Sequence, residues 1–356
     1  MARTILIMAG GTGGHIFPAL SVADYLRDRG WNVVWLGART GMEAKIVPQR
    51  GYSMAWVRFS GLRGKGLVRA AMLPLNLLVA FAQSARAIFA HRPDVVLGMG
   101  GYVAFPGGMM ASLLHRPLAI HEQNSVAGLT NRVLAGVADR VLAGFPEAFG
   151  KKRRVEWTGN PVRTEIAYIP PPEIRFGARS GPLKLLVIGG SLGAQALNEV
   201  VPQALALIPA ARRPGVTHQA GAGHVEALKA RYAQAGVVAQ AMAFIDDMAA
   251  QYAASDLVIC RAGASTITEL AAAGVASVLV PFPHAVDDHQ TANARFLADR
   301  GAALLIPQTE LTAGRLAELL TTLDRGRLLA MAQAARAAGK PDATAAVANV
   351  CMELAA

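Results

Sequence analysis

Glu269, Asp288 and Gln290 are polar side chains within one stretch, Leu257 to Asn293, which reads LVICRAGASTITELAAAGVASVLVPFPHAVDDHQTAN. A carboxylate accepts hydrogen bonds and a carboxamide both donates and accepts them, so this set suits the reading of sugar hydroxyls. Leu257 to Cys260 is an apolar run of strand length, and Arg261 to Thr266 is small and flexible. Ile267 to Ala273 has helical spacing and stops at Gly274; Ser277 to Val280 is a second strand, leading into Pro281-Phe282-Pro283 and Asp287-Asp288-His289-Gln290. A loop that opens a helix leaves backbone N–H groups without intrahelical partners at the positive end of the helix dipole, a natural seat for phosphate. Glu269 lies one turn into that helix, within reach of a ribose. The stretch therefore reads as a nucleotide-sugar site, against the plainer alternative of an ordinary βαβ unit capped by Ser265 or Thr266.

A second set of candidate groups lies in the first half. Thr4 to Met8 reads as a buried strand, followed by Ala9-Gly10-Gly11-Thr12-Gly13-Gly14-His15, a helix from Pro18 to Arg29 and a strand from Trp31 to Leu36. A dinucleotide fingerprint needs G-x-G-x-x-G, but counting from Gly11 and Gly13 the third position is Ile16. The acidic residue expected after the second strand is also missing, because Gly37-Ala38-Arg39-Thr40-Gly41 stands there. The turn suits phosphate and does not suit NAD. A second glycine turn, Gly98-Met99-Gly100-Gly101-Tyr102, follows the strand Asp94 to Leu97, and the strand Leu118 to Ile120 ends in His121-Glu122-Gln123-Asn124. Strand ends of this kind point into the ligand crevice of an α/β sheet. In the second half Leu183 to Gly193 repeats the opening pattern, with Ser191 in the place of Thr12, which predicts two similar α/β domains.

The elements that must hold these groups fit a chain of 356 residues with 36 glycines and 53% hydrophobic residues. Two cysteines, Cys260 and Cys351, exclude a disulfide framework, and the histidines and cysteines show no zinc spacing. The opening apolar run is too short for a signal peptide, and the uncharged run Val95 to Leu114 is broken by glycines and Pro106. Residues 1–160 hold 19 Lys and Arg against 8 Asp and Glu, whereas residues 161–356 hold 16 of each. The whole excess of +11 is thus in the first half, which should face the more anionic partner. Recognition-helix, RNA-binding and zinc-finger patterns are missing, so a phosphorylated lipid or acidic membrane surface is expected rather than nucleic acid. Lys151-Lys152-Arg153-Arg154 reads as a solvated loop. Arg63, Lys65 and Arg69 precede an apolar helix, Met72 to Phe89, in which Leu73, Leu77 and Phe81 recur every four residues. That stripe is either core-facing or, beside those cations, a membrane patch.

With these pieces together the chain resembles the MurG family, the UDP-N-acetylglucosamine transferases of peptidoglycan synthesis, over nearly its whole length. The resemblance is carried by GGTGGHIFPAL (10–20), SGLRGKG (60–66), PDVVLGMGGYV (93–103), HEQN (121–124), AGLTN (127–131), GNPVR (159–163), GGSLGA (189–194), FIDDM (244–248), CRAGASTITEL (260–270) and DDHQTANA (287–294). Leu192 stands where many members have Gln. The resemblance implies a GT-B fold of two Rossmann-like parallel-sheet domains with a cleft between them. Residues 1–160 would be the acceptor and membrane-facing domain, 161–340 the UDP-GlcNAc domain, and 341–356 a helix packing back on the first. The implied reaction is inverting transfer of GlcNAc from UDP-GlcNAc to the muramyl 4-hydroxyl of lipid I, an undecaprenyl-diphosphate-linked pentapeptide, at the cytoplasmic face of the inner membrane. The rival within the fold is another UDP-sugar enzyme, a sugar-nucleotide epimerase or a glycolipid synthase.

By position the resemblance assigns uracil to the backbone of Ile245 and ribose to Glu269. It assigns the donor diphosphate to Ser191 and the helix start Ala264, Ser265, Thr266, Ile267 and Thr268, with Arg163 in support. Gln290 and Ala264 would read GlcNAc, and Thr12, Gly13, Gly14 and Asn124 would lie beside the donor sugar. Gly10, Gly11, Gly100, Gly101 and Tyr102 would cradle the acceptor diphosphate. His15 is the expected general base, with Glu122 as the second candidate, and the leaving group would be met by N–H donors and Arg261 or Arg163. No cofactor and no essential metal are expected; proteins of cell-wall synthesis are the protein partners the resemblance allows.

Overall fold

Ile5, Leu6, Ile7 and Met8 offer no polar residue to turn toward water, and all four are fully buried in β1 (Thr4–Met8). A strand apolar on both faces belongs inside a parallel sheet covered by helices on either side. Each such side chain contributes about 1.5–3 kcal/mol by leaving water. In the computed structural model, which describes residues 2–59, 72–150, 154–190, 193–285 and 288–356, β1 is an interior strand of a seven-stranded parallel sheet. The others are β2 (Asn32–Gly37), β3 (Ser53–Trp56), β4 (Val95–Gly98), β5 (Leu118–Glu122), β6 (Arg140–Ala143) and β7 (Glu156–Trp157), in the order β3-β2-β1-β4-β5-β6-β7. Register sets Met8 beside Leu36 on one side and Gly98 on the other.

The second sheet repeats the plan. It contains β8 (Lys184–Ile188), β9 (Gly215–Gln219), β10 (Gln240–Met242), β11 (Leu257–Cys260), β12 (Ser277–Leu279) and β13 (Ala303–Leu305), ordered β10-β9-β8-β11-β12-β13 and all parallel. Both sheets begin in the middle, grow to one side and then cross to the other. The crossing leaves a crevice outside the strand ends where neighbouring chains part. In the first sheet that crevice lies past β1 and β4, where both glycine turns stand; in the second it lies past β8 and β11.

The chain divides into two compact units, the first made of residues 1–163 and 342–356 and the second of residues 164–341. The helix Ala343–Leu354 lies on the helix Gly13–Arg27, and Val347, Ala348, Val350 and Cys351 complete the core of the first unit.

The apolar helix runs over Leu73–His91. Its inward face is the narrow set Ala80, Ser84, Ala87 and Ile88, which packs on the helix Ala104–Leu113. Leu73, Leu77 and Phe81 lean toward the body, half-buried, with Phe81 tilted against Phe105 at 6.0 Å. The exposed apolar residues are Leu75, Leu78 and Val79 near its start, with Met72 just before them, and Phe89 near its end. Arg63, Lys65 and Arg69 lie outside the described residues. Among the described residues this is the one helix long and apolar enough to cross a membrane by length and composition, although its inner face is held in the core.

Candidate functional site

In the first unit the chemistry gathers where the two glycine turns touch. Gly101 has φ +82°, and a Cβ there would lie 2.3 Å from the Gly10 carbonyl oxygen, so the backbones can meet only with glycine at 101. No side chain caps the helix Gly13–Arg27 behind Thr12, so the Gly13–Gly14 start keeps the open first-turn character that favours an anion. His15 Nδ1 is 3.2 Å from the Gly10 carbonyl oxygen and 3.4 Å from Thr12 Oγ1. A carbonyl can only accept, so the proton of the neutral ring belongs on Nδ1 and the lone pair on Nε2. A Cβ at Gly100 would press on the imidazole, 3.0 Å from Nε2, which places this ring edge directly over the second turn. Tyr102, at the end of that turn, is exposed.

Glu43 answers for the missing acidic residue. It comes later than a ribose-reading residue should, at the start of the helix Glu43–Gln49, and it is buried. Its carboxylate accepts from the N–H of Gly11 at 3.1 Å and of Ala38 at 3.0 Å. The carboxylate thus props the first turn from beneath and leaves no opening there for a ribose, the physical reason that the turn differs from a dinucleotide site.

Glu122 has a different character from the one its neighbours suggested. It is buried at the end of β5, and its two oxygens accept from Asn124 N (2.9 Å), Asn124 Nδ2 (3.3 Å), Gly128 N (3.1 Å) and Asn131 Nδ2 (2.9 Å). Four donors occupy the carboxylate, so its geometry is that of a scaffold that orders Asn124, and it is set aside as the second proton acceptor. His121 beside it donates from Nε2 to the Gly159 carbonyl at 2.9 Å, and burial lowers its pKa to about 4. Its neutral Nδ1 then accepts from Gln123 Nε2 at 3.3 Å, and Gln123 also donates to the Met99 carbonyl at 2.9 Å. Asn160 donates to the Gln123 carbonyl, so HEQN is braced by the segment that ends at Arg163.

In the second unit the helix Ala264–Ala273 starts at Gly263 with no side-chain cap, so neither Ser265 nor Thr266 closes it. The Ser265 hydroxyl is buried without a hydrogen-bond partner, and the Thr268 hydroxyl turns back to the Ala264 carbonyl. Ile267 is fully buried and fixes the helix on the sheet. Glu269 accepts from the hydroxyl of Tyr252 at 3.0 Å, which aims its carboxylate. Asn293, fully buried, donates to the Ala262 carbonyl at 3.2 Å and joins the helix His289–Ala298 to the loop after β11. Gln290 Oε1 accepts from Phe282 N at 2.9 Å. Arg261 donates to the carbonyls of Val280 and Pro281 and to Gln308 Oε1, and burial lowers its pKa. Its charge is therefore spent on the strand end after β12. Ile245 is buried beside an exposed Phe244, and Asp247 caps the helix Met248–Ala254. Ser191 and Asp287 lie outside the described residues.

Sequence reasoning missed Glu43, Tyr252 and Gln219. Only Gln219 had a signal, its place at the end of β9.

Comparison with known proteins agrees with this anatomy. The glycosyltransferase family 28 N-terminal domain matches residues 5–143 and the corresponding C-terminal domain residues 184–347. The chain is 65% identical to a protein of Aromatoleum aromaticum over 99% of this chain and 98% of that one, named UDP-N-acetylglucosamine–N-acetylmuramyl-(pentapeptide) pyrophosphoryl-undecaprenol N-acetylglucosamine transferase. A protein of the same name from Cupriavidus metallidurans is 63% identical over 99% of both chains. The crystal structure of Acinetobacter baumannii MurG superposes with a TM-score of 0.86 at 42% identity, covering 99% of each chain. A glycosyltransferase of kitacinnamycin, 19% identical and covering 99% of each chain with a TM-score of 0.70, shares the fold. With both sheets, both family 28 domains and full-length relatives in agreement, the chain has the GT-B fold and belongs to the MurG family of glycosyltransferases.

Proposed function

We propose that the second unit binds UDP-GlcNAc, that the first binds lipid I, and that the chain transfers GlcNAc to the muramyl 4-hydroxyl with inversion. The observation that carries this reading is the uncapped start of the helix Ala264–Ala273 beside a Glu269 carboxylate aimed by Tyr252. A diphosphate meets the first-turn N–H groups, and the ribose meets Glu269. As the sugar–phosphate bond breaks, charge grows on the departing UDP, and the preorganised amides and helix dipole gain strength with it. Ile245 takes the uracil by its backbone, Gln290 and Ala264 take the sugar hydroxyls, and Arg163 and Ser191 complete the donor set.

In the first unit the turns at Gly10–Gly11 and Gly100–Tyr102 hold the acceptor diphosphate. Thr12, Gly13, Gly14 and Asn124 complete this edge. His15 Nε2 takes the proton of the attacking hydroxyl while Nδ1–H remains on the Gly10 carbonyl, which keeps the tautomer constant through the step. The direct test is transfer of labelled GlcNAc from UDP-GlcNAc to a lipid I analogue. Label in the lipid product, with UDP released only when the acceptor is present, is the expected result. UDP release without acceptor would favour the epimerase reading.

The exposed stripe Met72, Leu75, Leu78 and Val79, in the half of the chain that carries all the excess positive charge, supports peripheral binding to an anionic membrane. Leu75→Asp with Leu78→Asp should abolish sedimentation with phosphatidylglycerol vesicles and spare turnover of a soluble acceptor analogue. Equal loss of both activities would count against a membrane role for this face.

A further inference from the structure

We propose that Gln219 is a positioning residue for the donor, tying the glycine turn after β8 to the segment that carries Ile245; this rests on the donor site proposed above. Its side chain is buried and uses every group it has. Oε1 accepts from Gly189 N at 3.1 Å and from Gly190 N at 3.0 Å. Nε2 donates to the Gly190 carbonyl at 2.9 Å and to the Ala243 carbonyl at 3.1 Å. None of these bonds serves its own strand, whose ladder is made by the backbone. All four go to the two segments on either side of β9.

The consequence for the ligand is specific. Because Oε1 occupies the N–H groups of Gly189 and Gly190, these amides are anchors of the turn and are not donors for an anion. The far end of the turn is anchored next door: Gly193, at φ +77°, sits so close to the Ala220 carbonyl that a Cβ would lie 2.1 Å from it. Residues 219 and 220 therefore hold both ends of the turn, and Gln219 reaches on to Ala243, two residues before Ile245. One side chain thus sets the spacing between the groups proposed for the diphosphate and those proposed for the base. Elsewhere Glu43 plays a comparable part in the first unit, joining the turn after β1 at Gly11 to the segment after β2 at Ala38.

The test is calorimetry with UDP and with uridine, alongside steady-state transfer, on Gln219→Met, which keeps the volume and removes all four bonds. UDP affinity should fall about 10- to 100-fold, as expected for several lost hydrogen bonds. The advantage of UDP over uridine should shrink, and the donor KM should rise while the acceptor KM and kcat stay near wild type. Gln219→Glu keeps the acceptor for two amides but sets oxygen against the Gly190 and Ala243 carbonyls, so it should show the same pattern. Glu269→Ala is the control. If it weakens UDP binding while folded Gln219→Met stays within twofold of wild type, the proposal is overturned and the donor site stands. If neither variant alters UDP binding, the donor site itself is misplaced and the proposal falls with it. Failure of both Gln219 variants to fold would assign the residue to the core and also overturn the proposal.

Discussion

Replacing His15 by alanine is expected to lower kcat about 10²–10⁴-fold, the usual contribution of a positioned general base, and to leave UDP affinity unchanged. The expectation rests on how the ring is held. Nδ1–H is committed to the Gly10 carbonyl, so the neutral imidazole presents its lone pair at Nε2. Gly100 leaves room for that edge, because a Cβ there would come within 2.8 Å of the ring. The split between kcat and donor binding is the informative part, since His15 and the proposed donor groups belong to separate units. Steady-state transfer at saturating UDP-GlcNAc, with calorimetry for UDP, measures both. Turnover at the wild-type rate would remove His15 as the base.

Glu122→Gln should be felt first in stability. Whichever way the amide is turned, its NH₂ faces two donors, either both from Asn124 or those of Gly128 and Asn131. Leaving buried donors unmatched costs about 1–3 kcal/mol each, so a loss of about 3 kcal/mol is expected. For a unit of this size that lowers Tm by roughly 6–12 °C. Activity should fall with it, because Asn124 loses the partner that orders it. A proton-accepting carboxylate would behave differently: the amide would abolish turnover and leave Tm in place. Thermal unfolding and turnover on the same preparation decide between the two.

The glycine turns, the strand ends and the repeat between Ile5–Gly14 and Leu183–Gly193 were legible because each is local. Gly and short apolar runs constrain the backbone wherever they occur, and β1 and β8 stand at matching places in their sheets. The role of Glu122 was not legible, because a sequence shows a carboxylate but not how many donors surround it. Glu43 was overlooked for a similar reason: six residues past β2, only the folded chain brings it under Gly11. The buried face of the helix Leu73–His91 was left open because Leu73, Leu75, Leu77, Leu78, Val79 and Phe81 are apolar almost all the way round. Periodicity then selects no side, and the small residues Ala80, Ser84 and Ala87 decide which face can approach its neighbour closely.

The helix Ala343–Leu354 has a consequence for how the protein is made. Its side chains Val347, Ala348, Val350 and Cys351 belong to the core of the first unit, yet they leave the ribosome after the whole of the second. The second unit, residues 164–341, is contiguous and can complete its fold during synthesis. The first must wait with an apolar surface over the helix Gly13–Arg27 uncovered until this last segment arrives. Nascent-chain folding would thus run opposite to the usual N-to-C order, with the open face a point of chaperone dependence.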